Sequence, residues 1–186
     1  MLPAEMRIHT KEQMKDWIEC ETAKYGQGGL GGYSLFPILQ EQRLRNHCIL
    51  LRHSEFHLNN GHKYRYYIFH FLLRRMQLKY SMQIPENVFA KGLHIVHLAP
   101  VIVNAGASCG ENIQLFPYTG IVASRKATGD DPDAPILGSG CALSIGAVVT
   151  GKVKLADNIV VGANAVVNKS FDESDIAIAG VPARKV

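Results

Sequence analysis

Two histidines three residues apart, His94 and His97 in Gly92-Leu93-His94-Ile95-Val96-His97, are the residues whose types and spacing first suggest chemistry. Imidazole titrates near pH 6.5, so a histidine can take and return a proton at working pH. A His-x-x-His pair can also hold a metal, but that needs converging rings and a further His, Cys or carboxylate to complete the set. No such residue follows at ligand spacing, so no metal is expected. The four cysteines, Cys20, Cys48, Cys109 and Cys141, show no CxxC or zinc-type spacing. No Ser or Cys is paired with a base in an evident nucleophile motif, which argues against a covalent intermediate on the chain. The glycines at 26, 28, 29, 31 and 32 lack the Lys-Ser/Thr of a phosphate loop and lie outside a strand-then-helix frame; they read as a connector.

What positions the histidines is a repeat. One residue in six reads Phe89, Ile95, Val101, Ala107, Ile113 and Thr119, then, after an interruption, Leu137, Leu143, Val149, Leu155, Val161 and Val167. The next position along is mostly small or polar. A period of six fits neither a helix nor a long alternating strand and marks a parallel β-helix. Each unit there makes a short strand and a corner, three units make a coil, and the aliphatics stack inside. Gly110, Asn112, Gly146, Gly151, Asn158 and Asn164 suit corners, where positive φ is cheap for these types. The gap from Thr119 to Leu137 spans three units, yet its Ser124–Pro135 part loses the apolar column and reads as a loop extruded from the coil. An antiparallel sandwich would make the strict phase accidental.

The run GLHIVHLAPVIVNAGASCGENIQ, then DAPILGSGCALSIGAVVTGKVKLADNIVVGANAVVNKS and the ending AGVPARKV, resembles the hexapeptide-repeat acyltransferases. Within them it is similar to the serine acetyltransferase branch, and most similar to relatives encoded with capsule and exopolysaccharide enzymes. The resemblance is strong over 83–186 and looser over the helical front part. It implies a mainly β fold: a left-handed β-helix acetyltransferase domain over 83–186 behind an α-helical N-terminal region over 1–82. It also implies a homotrimer, with pairing of trimers left open, and acetyl-coenzyme A as donor. Handedness comes from the resemblance alone, because crossover connections are right-handed almost everywhere else.

The resemblance makes His97 the general base that takes the acceptor's hydroxyl proton as its oxygen attacks the thioester. It places coenzyme A in the groove between adjacent coils, with Ile145 and Ala163 stacked at one corner, Ala123 near the thioester, and Lys169, Arg184 and Lys185 toward the phosphates. The coil-sharing γ-class carbonic anhydrases use three histidines that this repeat region lacks. Two departures from serine acetyltransferases bear on the acceptor. Val96 stands where those enzymes have an Asp that orients the imidazole, and Asp133-Ala134-Pro135-Ile136 replaces an RHPKI-like stretch with a second His. The chain also stops at Val186 without the extension that docks into a cysteine-forming partner. The expected acceptor is therefore a sugar hydroxyl of a capsular or exopolysaccharide or its precursor. Serine O-acetyltransferase and a non-catalytic assembly subunit of a glycan-making complex are the alternatives. A backbone carbonyl, Glu111, Asp130, Asp131 or Asp133 could orient His97, and Phe116, Tyr118 and the loop Ser124–Ala134 could meet the acceptor.

At 186 residues, 47% hydrophobic and 19% charged, the chain is an ordered globular protein rather than a disordered one. Thr10 with Gln13 forms a capping box before a helix to about Tyr25; Pro37 suits a helix start, with helical spacing to Asn59; a second helix is expected from about Lys63 to Tyr80. Residues 41–80 hold eight Lys or Arg, two Glu and five of the eight His. These helices are expected to offer a solvated face together with helix packing, or a basic surface for an anionic polymer or lipid headgroups; no motif points to nucleic acid. With no signal peptide and no long apolar run, the expected location is cytoplasmic, at most at the inner face of the membrane.

Overall fold

The computed structural model describes residues 1–26, 34–124 and 133–186. Three helices come first. α1 (Lys11–Thr22) starts on the predicted capping box: Thr10 Oγ1 accepts from Gln13 N–H while the Gln13 side chain accepts from Thr10 N–H. A 3-10 turn, Ala23–Tyr25, extends it. α2 (Gln40–Asn59) begins three residues after Pro37, where the Gln42 side chain reaches back to accept from Ile38 and Leu39 N–H and satisfies donors a helix start leaves open. Asn60, Gly61 and His62 turn the chain into α3 (Lys63–Lys79), which packs back along α2. The Gly26–Gly32 connector lies largely outside the described residues.

The strands are β1 (Met82–Gln83), β2 (His94–Ile95), β3 (Val101–Val103), β4 (Ser108–Cys109), β5 (Gln114–Leu115), β6 (Gly120–Val122), β7 (Ile136–Leu137), β8 (Ala142–Leu143), β9 (Val148–Thr150), β10 (Lys154–Leu155), β11 (Val160–Val161), β12 (Val166–Val167), β13 (Ala177–Ala179) and β14 (Arg184–Lys185). They stack into three faces, in the orders β1-β3-β6-β9-β12, β4-β7-β10 and β2-β5-β8-β11-β13-β14. All pairings are parallel except the closing β13–β14 pair. This is the parallel β-helix that the six-residue period predicts.

The register corrects one detail of that prediction. Leu137 pairs with Leu155, Leu143 with Val161 and Val149 with Val167, each eighteen residues on. Ile95 pairs with Leu115 and Phe89 bridges Cys109, twenty residues on, whereas Val103 pairs with Ile121 at eighteen again. Two extra residues therefore sit between Ile95 and Val103, where the chain bends at His97–Ala99. The true partners of Leu137 and Leu143 are Cys109 and Leu115, not Ala107 and Ile113. The apparent single column spans two phases because both inward positions of a unit, such as Ala107 with Cys109, are fully buried. The loop follows one further unit ending at Ile121, and its two ends meet where Ser124 N–H donates to Asp133 O at 3.0 Å.

Corners stack as the strands do. Gly92, Asn112, Gly140, Asn158 and Asp175 all hold positive φ along one edge, and each backbone N–H from Asn112 onward bonds to the coil before it. Gly140 is obligatory there, because a Cβ would also collide with the Asn158 side chain. Leu44, Cys48, Leu51 and Leu73 of the helices share one core with coil residues Phe89, Ile95 and Val103. On its outer side α3 exposes Tyr64, Tyr67, Ile68 and Phe71.

Candidate active site

His97 stands at the first bend after β2, exposed, and heads one edge of the prism. Along that edge the corners after β2, β5, β8 and β11 follow one another: Tyr118 N–H donates to Pro100 O, Gly146 N–H to Pro117 O and Asn164 N–H to Ile145 O, at 2.8–2.9 Å. Phe116, Tyr118, Ile145 and Ala163 thus share the edge of His97. At about 4.8 Å per coil, Ala163 lies about 15 Å further along the axis. Ile145 is 47% exposed and Ala163 is exposed as well, so this strip faces solvent.

The other predicted contact residues fall elsewhere. Ala123 follows β6 and Lys169 follows β12, which puts both on the neighbouring edge, across one short face from His97. Lys169 lies over the Phe171 ring at 5.3 Å. Arg184 and Lys185 form β14 at the far end of the coil, and the Lys185 ammonium is paired with Glu173 at 2.5 Å.

His94, on β2, turns its ring edge-on to Tyr25 at 5.5 Å. Burial, with Lys24 nearby, pushes its pKa below the ordinary value. Its ring is spent on packing beside the strand rather than paired with His97. Asp133 takes a hydrogen bond from the Ser124 hydroxyl, and Asp130 and Asp131 lie outside the described residues.

The side chain found on His97 is one sequence reasoning missed. Gln40, the first residue of α2, places Nε2 3.2 Å from His97 Nδ1, while its Oε1 accepts from Leu98 N–H at 3.2 Å. The partners are 57 positions apart, and no periodicity links a helix start to a coil corner over that distance.

The segment leading into β2 and His97 is held from beneath by buried charge, also unforeseen. Arg52 of α2, fully buried, pairs with Glu21 of α1 at 2.6 Å and with Glu55 at 2.7 Å, and stacks on Trp17 at 4.7 Å. Its guanidinium donates to Phe89 O and Ala90 O, both at 3.0 Å. Glu21 accepts from Gly92 N–H and Leu93 N–H at 3.1 Å, and Tyr25 Oη accepts from Ile95 N–H at 2.9 Å. A five-donor guanidinium answered by two carboxylates and two carbonyls meets the requirement that a buried charge be fully paired. Some of the charge read as a solvated face is therefore interior: Arg52 and Glu55 point inward and fasten the approach to β2.

No protein-family model and no curated protein matches the sequence. Solved structures do match by shape. The serine acetyltransferase of Neisseria gonorrhoeae aligns over 95% of this chain and 68% of its own at 24% identity, with a TM-score of 0.69. That of soybean aligns over 95% and 70% at 21% identity, with a TM-score of 0.73. The fold is that of the serine acetyltransferases. A third enzyme of that name, solved with CoA, aligns over 95% and 71% at 16% identity, with a TM-score of 0.71. At these identities the likeness is one of fold: the left-handed β-helix behind N-terminal helices.

Proposed function

We propose that the chain is an acetyl-coenzyme A-dependent O-acetyltransferase in which His97 takes the acceptor's hydroxyl proton. The hydroxyl oxygen attacks the thioester carbonyl, the C–S bond breaks as the tetrahedral intermediate collapses, and the proton passes from His97 to the departing thiolate. The transfer is direct in this reading: burial raises the pKa of Cys48, Cys109 and Cys141, so these three are not ready nucleophiles, and Cys20 lies on α1 rather than on the edge that bears His97. The observation that carries the reading is the position of His97, exposed at the head of an edge that also bears Ile145 and Ala163, along which an extended pantetheine could lie.

On the acceptor, the comparisons favour serine over a polysaccharide. The solved structures named above are serine acetyltransferases, and the soybean and gonococcal enzymes have also been solved with serine. Serine is therefore the first reading. The sugar reading keeps one observation in its favour: the residue before His97 is Val96, half-buried, with its N–H given to Leu115 O, so no carboxylate stands there to receive an amino group. Because His97 and the pair Ala123–Lys169 lie on different edges, a donor touching both sets would lie between two copies, which accords with a homotrimer. Any contact of the basic helical region with an anionic surface falls on α3, which has five Lys or Arg and no carboxylate beside its exposed Tyr and Phe. Thiol release from acetyl-coenzyme A, measured with L-serine and separately with a polysaccharide repeat unit, decides the acceptor. Brisk turnover with L-serine supports the first reading, and turnover with the saccharide alone overturns it in favour of the second.

A further inference from the structure

The atoms around Gln40 say more than that it touches His97. A backbone N–H can only donate, so the Gln40 atom facing Leu98 N–H is the carbonyl oxygen, as the 3.2 Å contact has it. That fixes the other end of the amide: an NH2 group faces His97 Nδ1. An amide NH2 can only donate, so Nδ1 must accept, and a neutral imidazole that accepts at Nδ1 carries its proton on Nε2. With Nδ1 covered by Gln40, Nε2 is the nitrogen left for substrate, and in this state it offers a proton instead of a lone pair.

We propose that Gln40 is the positioning residue of the site, and that it holds His97 in the tautomer protonated at Nε2, so that proton removal from an acceptor waits on rotation of the Gln40 amide. Turning the amide over would give the oxygen to His97 and free Nε2 as a base, but it would set NH2 against Leu98 N–H and lose that hydrogen bond. A carboxylate at the same place has no such conflict. It accepts from Leu98 N–H and from a protonated Nδ1 together, leaving Nε2 unprotonated. The chain carries the amide, attached to the first residue of α2 and so to the packing of the helical region. Movement of that helix start would release or restore the ring. The proposal rests on the acetyl-transfer reading for its consequence, not for its geometry.

Nitrogen-15 NMR of the ring decides the geometry without any substrate. The His97 signals, assigned by their loss in His97→Gln, should show the neutral ring protonated at Nε2 in the unaltered chain and at Nδ1 in Gln40→Glu. The kinetic counterpart is a kcat about tenfold higher in Gln40→Glu and no lower than the unaltered chain in Gln40→Ala, where no amide holds the proton on Nε2, with KM for acetyl-coenzyme A little changed in both. A ring protonated at Nδ1 in the unaltered chain overturns the proposal whether or not the Gln40 variants fold. A slower Gln40→Glu with the tautomer switched overturns it too. Failure of the acetyl-transfer reading looks different: no thiol release by any form, with the NMR result standing.

Discussion

A histidine whose nitrogens lack full partners inside a protein stays neutral, and His47 is such a residue. It is fully buried in α2, beside Gln77 and near Arg52, and burial followed by the Arg52 charge pushes its pKa down to about 4. The unfolded chain binds this proton near pH 6.5 while the folded chain does not, so the unfolded state gains as pH falls between those values. The contribution is intact above pH 6.5 and lost on the way down through pH 4, for about 2–3 kcal/mol at pH 4.5. Urea unfolding at pH 7.5 and pH 4.5 checks it: the chain should lose that much more stability than His47→Gln, and equal losses would refute the assignment. Residue types gave uneven guidance at this scale. His97 could be singled out because a motif surrounds it, whereas Gln40 could not, because an amide at a helix start looks the same whether it caps the helix or reaches a ring 57 residues away.

Between residue and fold lie the elements, and here the six-residue period was legible because every coil must present an apolar side chain to the one above and below it. The two-residue slip at His97–Ala99 was not legible, since each unit turns two neighbouring alternate residues inward and either set reads as an apolar column. That slip lies at the bend that carries His97 out of the coil. The helices do more than cover the coil, because Glu21 and Arg52 reach through to the backbone of residues 89–93. The charge of Arg52 read as part of a basic helical region, and only its contacts with Glu21 and with residues 89–93 make it interior. Removing Glu21 leaves buried Arg52 with Glu55 as its remaining carboxylate and strands the Gly92 and Leu93 N–H groups, a loss of about 3 kcal/mol. Glu21→Ala should therefore melt roughly 10 °C lower by calorimetry. Glu21→Gln, which can still accept from Gly92 and Leu93, should fall less. A Glu21→Ala chain that melts with the unaltered one would show that the network does not hold the strand.

For the whole molecule, the coil sets out an edge on which His97, Tyr118, Ile145 and Ala163 follow one another, and the account stands on what that edge does. Fold class was readable from the repeat, whereas the assignment of contact residues to two different edges needed the register. Lys185 shows why charge alone misleads: a basic residue near the end of the coil is paired with Glu173. The proposed activity turns on one exposed ring, His97, whose removal should leave the buried framework untouched. The most direct test is the initial rate of thiol release from acetyl-coenzyme A with the better of the two acceptors, for the unaltered chain and for His97→Ala of unchanged circular dichroism. Loss of a positioned proton acceptor predicts a rate about 10²–10⁴-fold lower; a rate within about threefold of the unaltered chain would contradict the account.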